Sequence, residues 1–190
     1  VFNFFLVAIL GVIMRYKIQF SFPFLDQKHL QEAHSHFAFY GWITNVLYVL
    51  IVHYISKVNP LVKLRKYEYL IVINLAASFA MLGTFIYGGY FWASIVASTT
   101  ALLASFVFCY FFVVDARKIQ DTSKIWFLAG LFFAVISSIG VFNLAYLMSS
   151  KNINQDLYLA SEYYFFHFHF FSKTTKGKIP FSYKDYRIKT

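Results

Sequence analysis

Charged residues punctuate this chain, and long apolar stretches run between them. Residues 1–14 carry no charge before Arg15. Residues 33–56 form an uncharged run of 24, enough for one crossing, since about 20 apolar residues span a hydrocarbon core. A basic segment with Asn59-Pro60 as a helix breaker follows. Residues 69–114 are then uncharged for 46 positions, too many for a single crossing. Gly88-Gly89, flanked by Tyr87 and Tyr90, falls near the middle. That predicts two helices joined by a tight turn with aromatic residues at the membrane interface. Residues 125–150 make another uncharged run of 26.

The pattern predicts an all-α polytopic transmembrane helix bundle. Its spans lie at about 2–16, 34–55, 68–87, 91–114 and 125–149, with a partial sixth at 157–171. Residues 1–171 then form one transmembrane domain. Beyond Phe171 the character changes to Ser-Lys-Thr-Thr-Lys-Gly-Lys, with no helical period. Residues 172–190 are expected to be a basic, poorly packed tail or the mark of a chain cut short.

Composition agrees. The chain is 59% apolar, 23% aromatic and 13% charged, with 25 Phe in 190 residues. Soluble domains run near 45–50% apolar and about 25% charged. An ordinary cytosolic enzyme, a disordered chain and a disulfide scaffold are excluded. The lone Cys109 lies in an apolar run and reads as a packing residue. The lipid bilayer is the expected partner, and the location is a membrane crossed several times, the inner membrane if the source is bacterial.

The net charge of +9 sits in loops and in the tail, so it sets orientation and does not mark a nucleic-acid partner. The 57–67 and 115–124 loops hold seven Lys and Arg, against four in the alternate connections. The positive-inside rule puts those two loops in the cytoplasm. Helix 2 then begins on the outer side, with His34 and His36 near that surface.

Ionisable residues inside spans are candidate functional groups, and imidazole is a common metal and haem ligand. Glu32-Ala-His34-Ser-His36 is the strongest such signal. Two His at i and i+2 lie on opposite faces of a regular helix, so one is expected to face the bundle. The stripe His34, Ala38, Gly41, Asn45, Tyr48 is small and polar, which favours His34 as the inward residue. The stripe His36, Tyr40, Ile43, Leu47, Leu50 reads as lipid-facing. Glu32 is expected to cap helix 2, and His29 to be solvated in a loop. His53 is expected at the inner interface. His167-Phe-His169 repeats the i, i+2 pattern on the sixth helix, making both candidate metal ligands. If helices 2 and 6 are neighbours, a His from each can approach one metal or haem. Small and polar residues on the remaining spans, such as Asn74 and Ser78, Ala97 and Ala101, and Ser137 and Asn143, read as helix-contact positions.

The stretch Glu32-Ala-His34-Ser-His36-Phe-Ala-Phe-Tyr40-Gly41-Trp42 resembles the haem-copper oxidase subunit I superfamily, most closely its small oxidase-like bacterial membrane proteins. In that superfamily the second helix opens at the outer face with a haem-ligating His. Asn154 to Ala160, leading into Tyr164-Phe-Phe-His167-Phe, is similar to the approach to its sixth helix, which carries another metal-ligating His. The resemblance implies haem binding at His34 or His36, a role for His167, a redox or electron-transfer function and other membrane redox subunits as partners. The chain departs from the pattern in having far fewer spans, no adjacent His pair for the copper centre and none of the later-helix His. It looks like a fragment or a reduced relative, so copper binding and reduction of oxygen or nitric oxide are not expected from this chain alone. The alternative is a cofactor-free helical membrane protein, a transporter fragment or an assembly subunit.

Overall fold

The structure is a computed structural model, and it describes residues 1–59, 62–117, 121–150 and 154–177. The helices are α1 (Phe2–Gln19), α2 (Gln27–Val58), α3 (Arg65–Gly88), α4 (Trp92–Ala116), α5 (Lys124–Ser150) and α6 (Gln155–Gly177). Residues Phe37–Thr44 of α2 are a π-helix continuous with the α-helical turns on either side. Among the described residues, five helices are long and apolar enough to cross a membrane: α1, α2, α3, α4 and the Lys124–Leu144 part of α5. The chain forms two compact units, Val1–Ile119 with α1–α4 and Gln120–Thr190 with α5–α6.

The first unit is held by α3 and α4. Their contact face carries Ala77, Met81 and Phe85 from α3 and Ala97 and Ala101 from α4, joined by Ala33 of α2. Small side chains let the backbones approach, which is how helices gain contact energy where lipid is as apolar as leucine. The turn between α3 and α4 is the expected Gly88-Gly89. Gly89 has φ +61°, which L side chains rarely adopt. Ser94 then starts α4: its hydroxyl accepts from the Phe91 N–H at 2.9 Å and lies 2.8 Å from the Gly89 carbonyl. Serine and threonine hydroxyls within α4 bond their own backbone, as Thr99 does to Ile95 at 2.8 Å, so these groups are not left bare to lipid.

In the second unit α5 and α6 pair as a hairpin. Asn143 donates to the Ser161 hydroxyl at 2.6 Å, and Gly140 lies against the Ser161 carbonyl. The helix-contact reading of α5 is correct here, with Ser137 and Ser138 both buried.

Two boundaries that bear on the site and the tail differ from expectation. Helix α2 starts seven residues earlier than expected, at Gln27, because Asp26 caps it. Its carboxylate accepts from the Lys28 and His29 amides at 2.8 and 3.0 Å. Glu32 is therefore inside the helix and is not its cap, and His29 is helical, not in a loop. Helix α6 continues past Phe171 to Gly177. The rest of the basic tail, 178–190, lies outside the described residues.

Candidate functional site

The π stretch of α2 decides which later residues share a face with its His residues. A π turn holds more residues than an α turn, so faces counted at 3.6 per turn drift across Phe37–Thr44. The expected lipid stripe therefore breaks up. Leu50 is exposed, but Tyr40 packs on the α3–α4 core.

His36 lies on the same inward face, against expectation. Its ring stacks on Phe85 of α3 at 4.4 Å between centroids. Nδ1 is 2.9 Å from the Glu32 carbonyl, and Nε2 is 3.2 Å from the Tyr90 hydroxyl. His36 is thus enclosed by α3 and the turn beyond it, and is not at the rim. His34 faces α1. Its Cε1 is the nearest atom to the open side of Gly11, and its Nδ1 is buried with no hydrogen-bond partner. Both imidazoles are half-buried, each turned toward a different neighbouring helix. His29 and Glu32 complete the row beside His36 and border the Gly89 turn.

The π stretch also leaves backbone carbonyls out of line, and asparagines take them. Asn45 donates to the Tyr40 and Gly41 carbonyls at 3.0 and 3.1 Å. Asn74 of α3 donates to Tyr40 at 3.0 Å and lies 3.2 Å from the Asn45 amide oxygen. Asn3 of α1 reaches the Gly41 carbonyl. The freed carbonyls are thus satisfied inside the protein, the condition for irregular backbone at membrane depth. The expected inward placement of Asn45, Asn74 and Ser78 is correct.

At the opposite end of the unit, Asp115 closes α4. Its Oδ2 accepts from the Tyr67 hydroxyl at 2.7 Å and pairs with Lys66 at 2.7 Å. The Lys66 ammonium also lies 4.9 Å from the Phe111 ring centre. Tyr67 is fully buried. Asp115 looks like an ordinary loop charge in the sequence. Its signal is an acid at the last turn of an apolar run, facing a basic segment that opens the preceding helix.

His53 is exposed at the Asp115 end, as expected. His167 is exposed on α6, edge-on to Phe168 at 5.6 Å. The side chain of His169 lies outside the described residues. Among the described residues no three His, Cys, Asp or Glu converge on one metal position. No protein-family model, curated protein or solved structure matches this chain.

Proposed function

We propose that the chain is a multi-pass membrane protein of haem-copper-oxidase type, with a redox or electron-transfer role in which His36 is the haem-binding imidazole. One observation carries this reading. The Glu32 carbonyl 2.9 Å from His36 Nδ1 can only accept, so Nδ1 bears the proton and Nε2 keeps its lone pair. A backbone carbonyl on the far nitrogen is the usual way a ligating imidazole is fixed and made more basic. Phe85 supplies an apolar flank that keeps water from the ring. Tyr90 supplies the hydroxyl that holds Nε2 meanwhile, and as an exposed residue it has room to turn aside. These residues would hold the His36 imidazole ready to ligate a haem. A haem held there would supply one-electron transfer, and other membrane redox subunits would be its partners. If the source is a bacterium, the place is the inner membrane.

A second reading rests on the same hydrogen bonds. The His36–Tyr90 pair, stacked on Phe85, also serves as a pin between α2 and the α3–α4 turn in a cofactor-free bundle. Protein made with haem available and purified in detergent separates the two. The redox reading expects a Soret band that His36→Ala abolishes and His34→Ala leaves largely intact. Folded protein with no band supports the cofactor-free bundle.

A further inference from the structure

The connection between α1 and α2, residues 20–26, exposes more apolar surface than a turn in water should. Phe24 is 84% exposed and Phe20 54%. The rings there form one continuous group. Tyr16 stacks on Phe20 at 4.8 Å between centroids and meets Phe22 edge-on at 6.4 Å, and Phe22 meets Phe24 edge-on at 5.6 Å. The backbone beneath them is pinned. The Lys17 ammonium donates to the Phe22 carbonyl at 2.8 Å and to the Leu25 carbonyl, and it lies 6.0 Å from the Phe22 ring centre. Those two carbonyls are satisfied by the protein and need no water, which suits a loop that meets lipid. An exposed apolar patch of this kind marks a contact surface.

The level of the loop says what covers it. Helices α1 and α2 run antiparallel: Asn3 reaches the Gly41 carbonyl, and Gly11 lies against His34. Five residues farther along, Tyr16 comes level with His29, which lies against the Gly89 turn. That turn carries the exposed Tyr87 and Trp92. Exposed Tyr and Trp at the ends of apolar spans belong to the membrane–water boundary. Residues 20–25 begin at that level and continue outward from it. Arg15 and Lys28, on either side of the loop, are exposed. Aromatic side chains flanked by cations match the apolar and phosphate layers of a lipid surface.

We infer that residues 20–25 are an interfacial anchor that seats Phe20 and Phe24 in the headgroup layer of the leaflet on the Gly88-Gly89 side, with lipid as the partner. Apolar groups at that boundary sink about 5–10 Å. The buried residues of α1 are Val7 and Leu10, so the anchor gives the end of this helix a hold that packing does not supply.

The test places a reporter in the loop without removing a ring. In protein carrying Cys109→Ala, Ser21→Cys is labelled with an environment-sensitive fluorophore and reconstituted in lipid nanodiscs. Lys63→Cys, in the basic loop at the other end, is the aqueous control. The Ser21 label should be quenched by lipids with a nitroxide high on the acyl chain, and several-fold less than the Lys63 label by aqueous iodide. Adding Phe20→Ser and Phe24→Ser should raise iodide quenching and lower nitroxide quenching at the Ser21 label. Each variant is first checked for native helical circular dichroism, and Phe24→Ser alone replaces the pair if the pair does not fold. Iodide quenching equal to that of the Lys63 label overturns the anchor. So does protection from both quenchers, which would mean that protein covers the loop.

Discussion

Two carboxylates mark the two ends of the first helical unit, and they are treated in opposite ways. Asp115 has a tyrosine hydroxyl and a lysine ammonium, each at 2.7 Å from the same oxygen. Glu32 has a buried oxygen with no partner, beside the half-buried His29. The first is a closed arrangement that ties the start of α3 to the end of α4. The second is an open one, and it lies among His29, His34 and His36. Buried polar groups are normally satisfied, so the exceptions are where a protein holds something back for a ligand or a proton. The difference separates a fastened carboxylate from an unsatisfied one within one small bundle.

Breaking the fastening should have the largest effect. Asp115→Ala leaves Lys66 and the buried Tyr67 hydroxyl without their acceptor, and should cost about 3 kcal/mol of stability. Glu32→Gln should not destabilise the unit, because its buried oxygen has no bond to lose. Unfolding of both variants in mixed micelles measures the contrast. Equal losses would mean the two ends do not differ as described.

The asparagine cluster between the ends should give a smaller effect. Interhelical hydrogen bonds in membranes average about 0.6 kcal/mol, with a ceiling near 1.7. Asn74→Ala removes two of them and should cost about 1 kcal/mol. Asn74→Ala together with Asn45→Ala should cost less than the sum of the single changes, since the two residues share the Tyr40 carbonyl. Additive losses in a double-mutant cycle would show that they act separately.

The smallest effect concerns the cap of α2. The His29 amide bond, with help from Lys28, holds the exposed Asp26 carboxyl below its ordinary value of 3.8. A carboxylate with a lowered folded pKa contributes stability above its unfolded pKa and loses it as pH falls through the folded one. Hydrogen exchange in residues 27–30 should therefore gain protection above about pH 4 in a way that Asp26→Asn does not reproduce. Identical pH dependence in the two proteins would remove the carboxylate from the cap.

The spans were legible because lipid imposes long uncharged runs, and 69–114 with Gly88-Gly89 inside it could be little other than a hairpin. Asn45 and Asn74 were legible for the same reason, since an amide at that depth needs another helix. The start of α2 was not. Residues 27–33 are mostly polar, so they read as loop, yet Leu30, Ala33 and Phe37 bury one face beyond the Asp26 cap. The direction of His36 was misread, while that of His34 was not, because a stripe drawn at 3.6 residues per turn does not survive a π stretch. Asp115 was overlooked because a charge ending an apolar run resembles any loop charge until Lys66 and Tyr67 are seen facing it.

The π stretch has one more consequence, which concerns the gene and not the fold. A π turn stores a surplus residue that an α turn does not need. Losing a single codon within 37–44 lets that segment close to an ordinary helix while the turns before and after it keep their bearings. Losing a codon within 46–57 has no such slack, and every side chain beyond it swings by about 100°. Deleting Phe39 should therefore yield more folded protein than deleting Val49, and the reverse order in a deletion scan would contradict this. Helix α2 thus carries its tolerance to a change of length in the eight residues that follow His36.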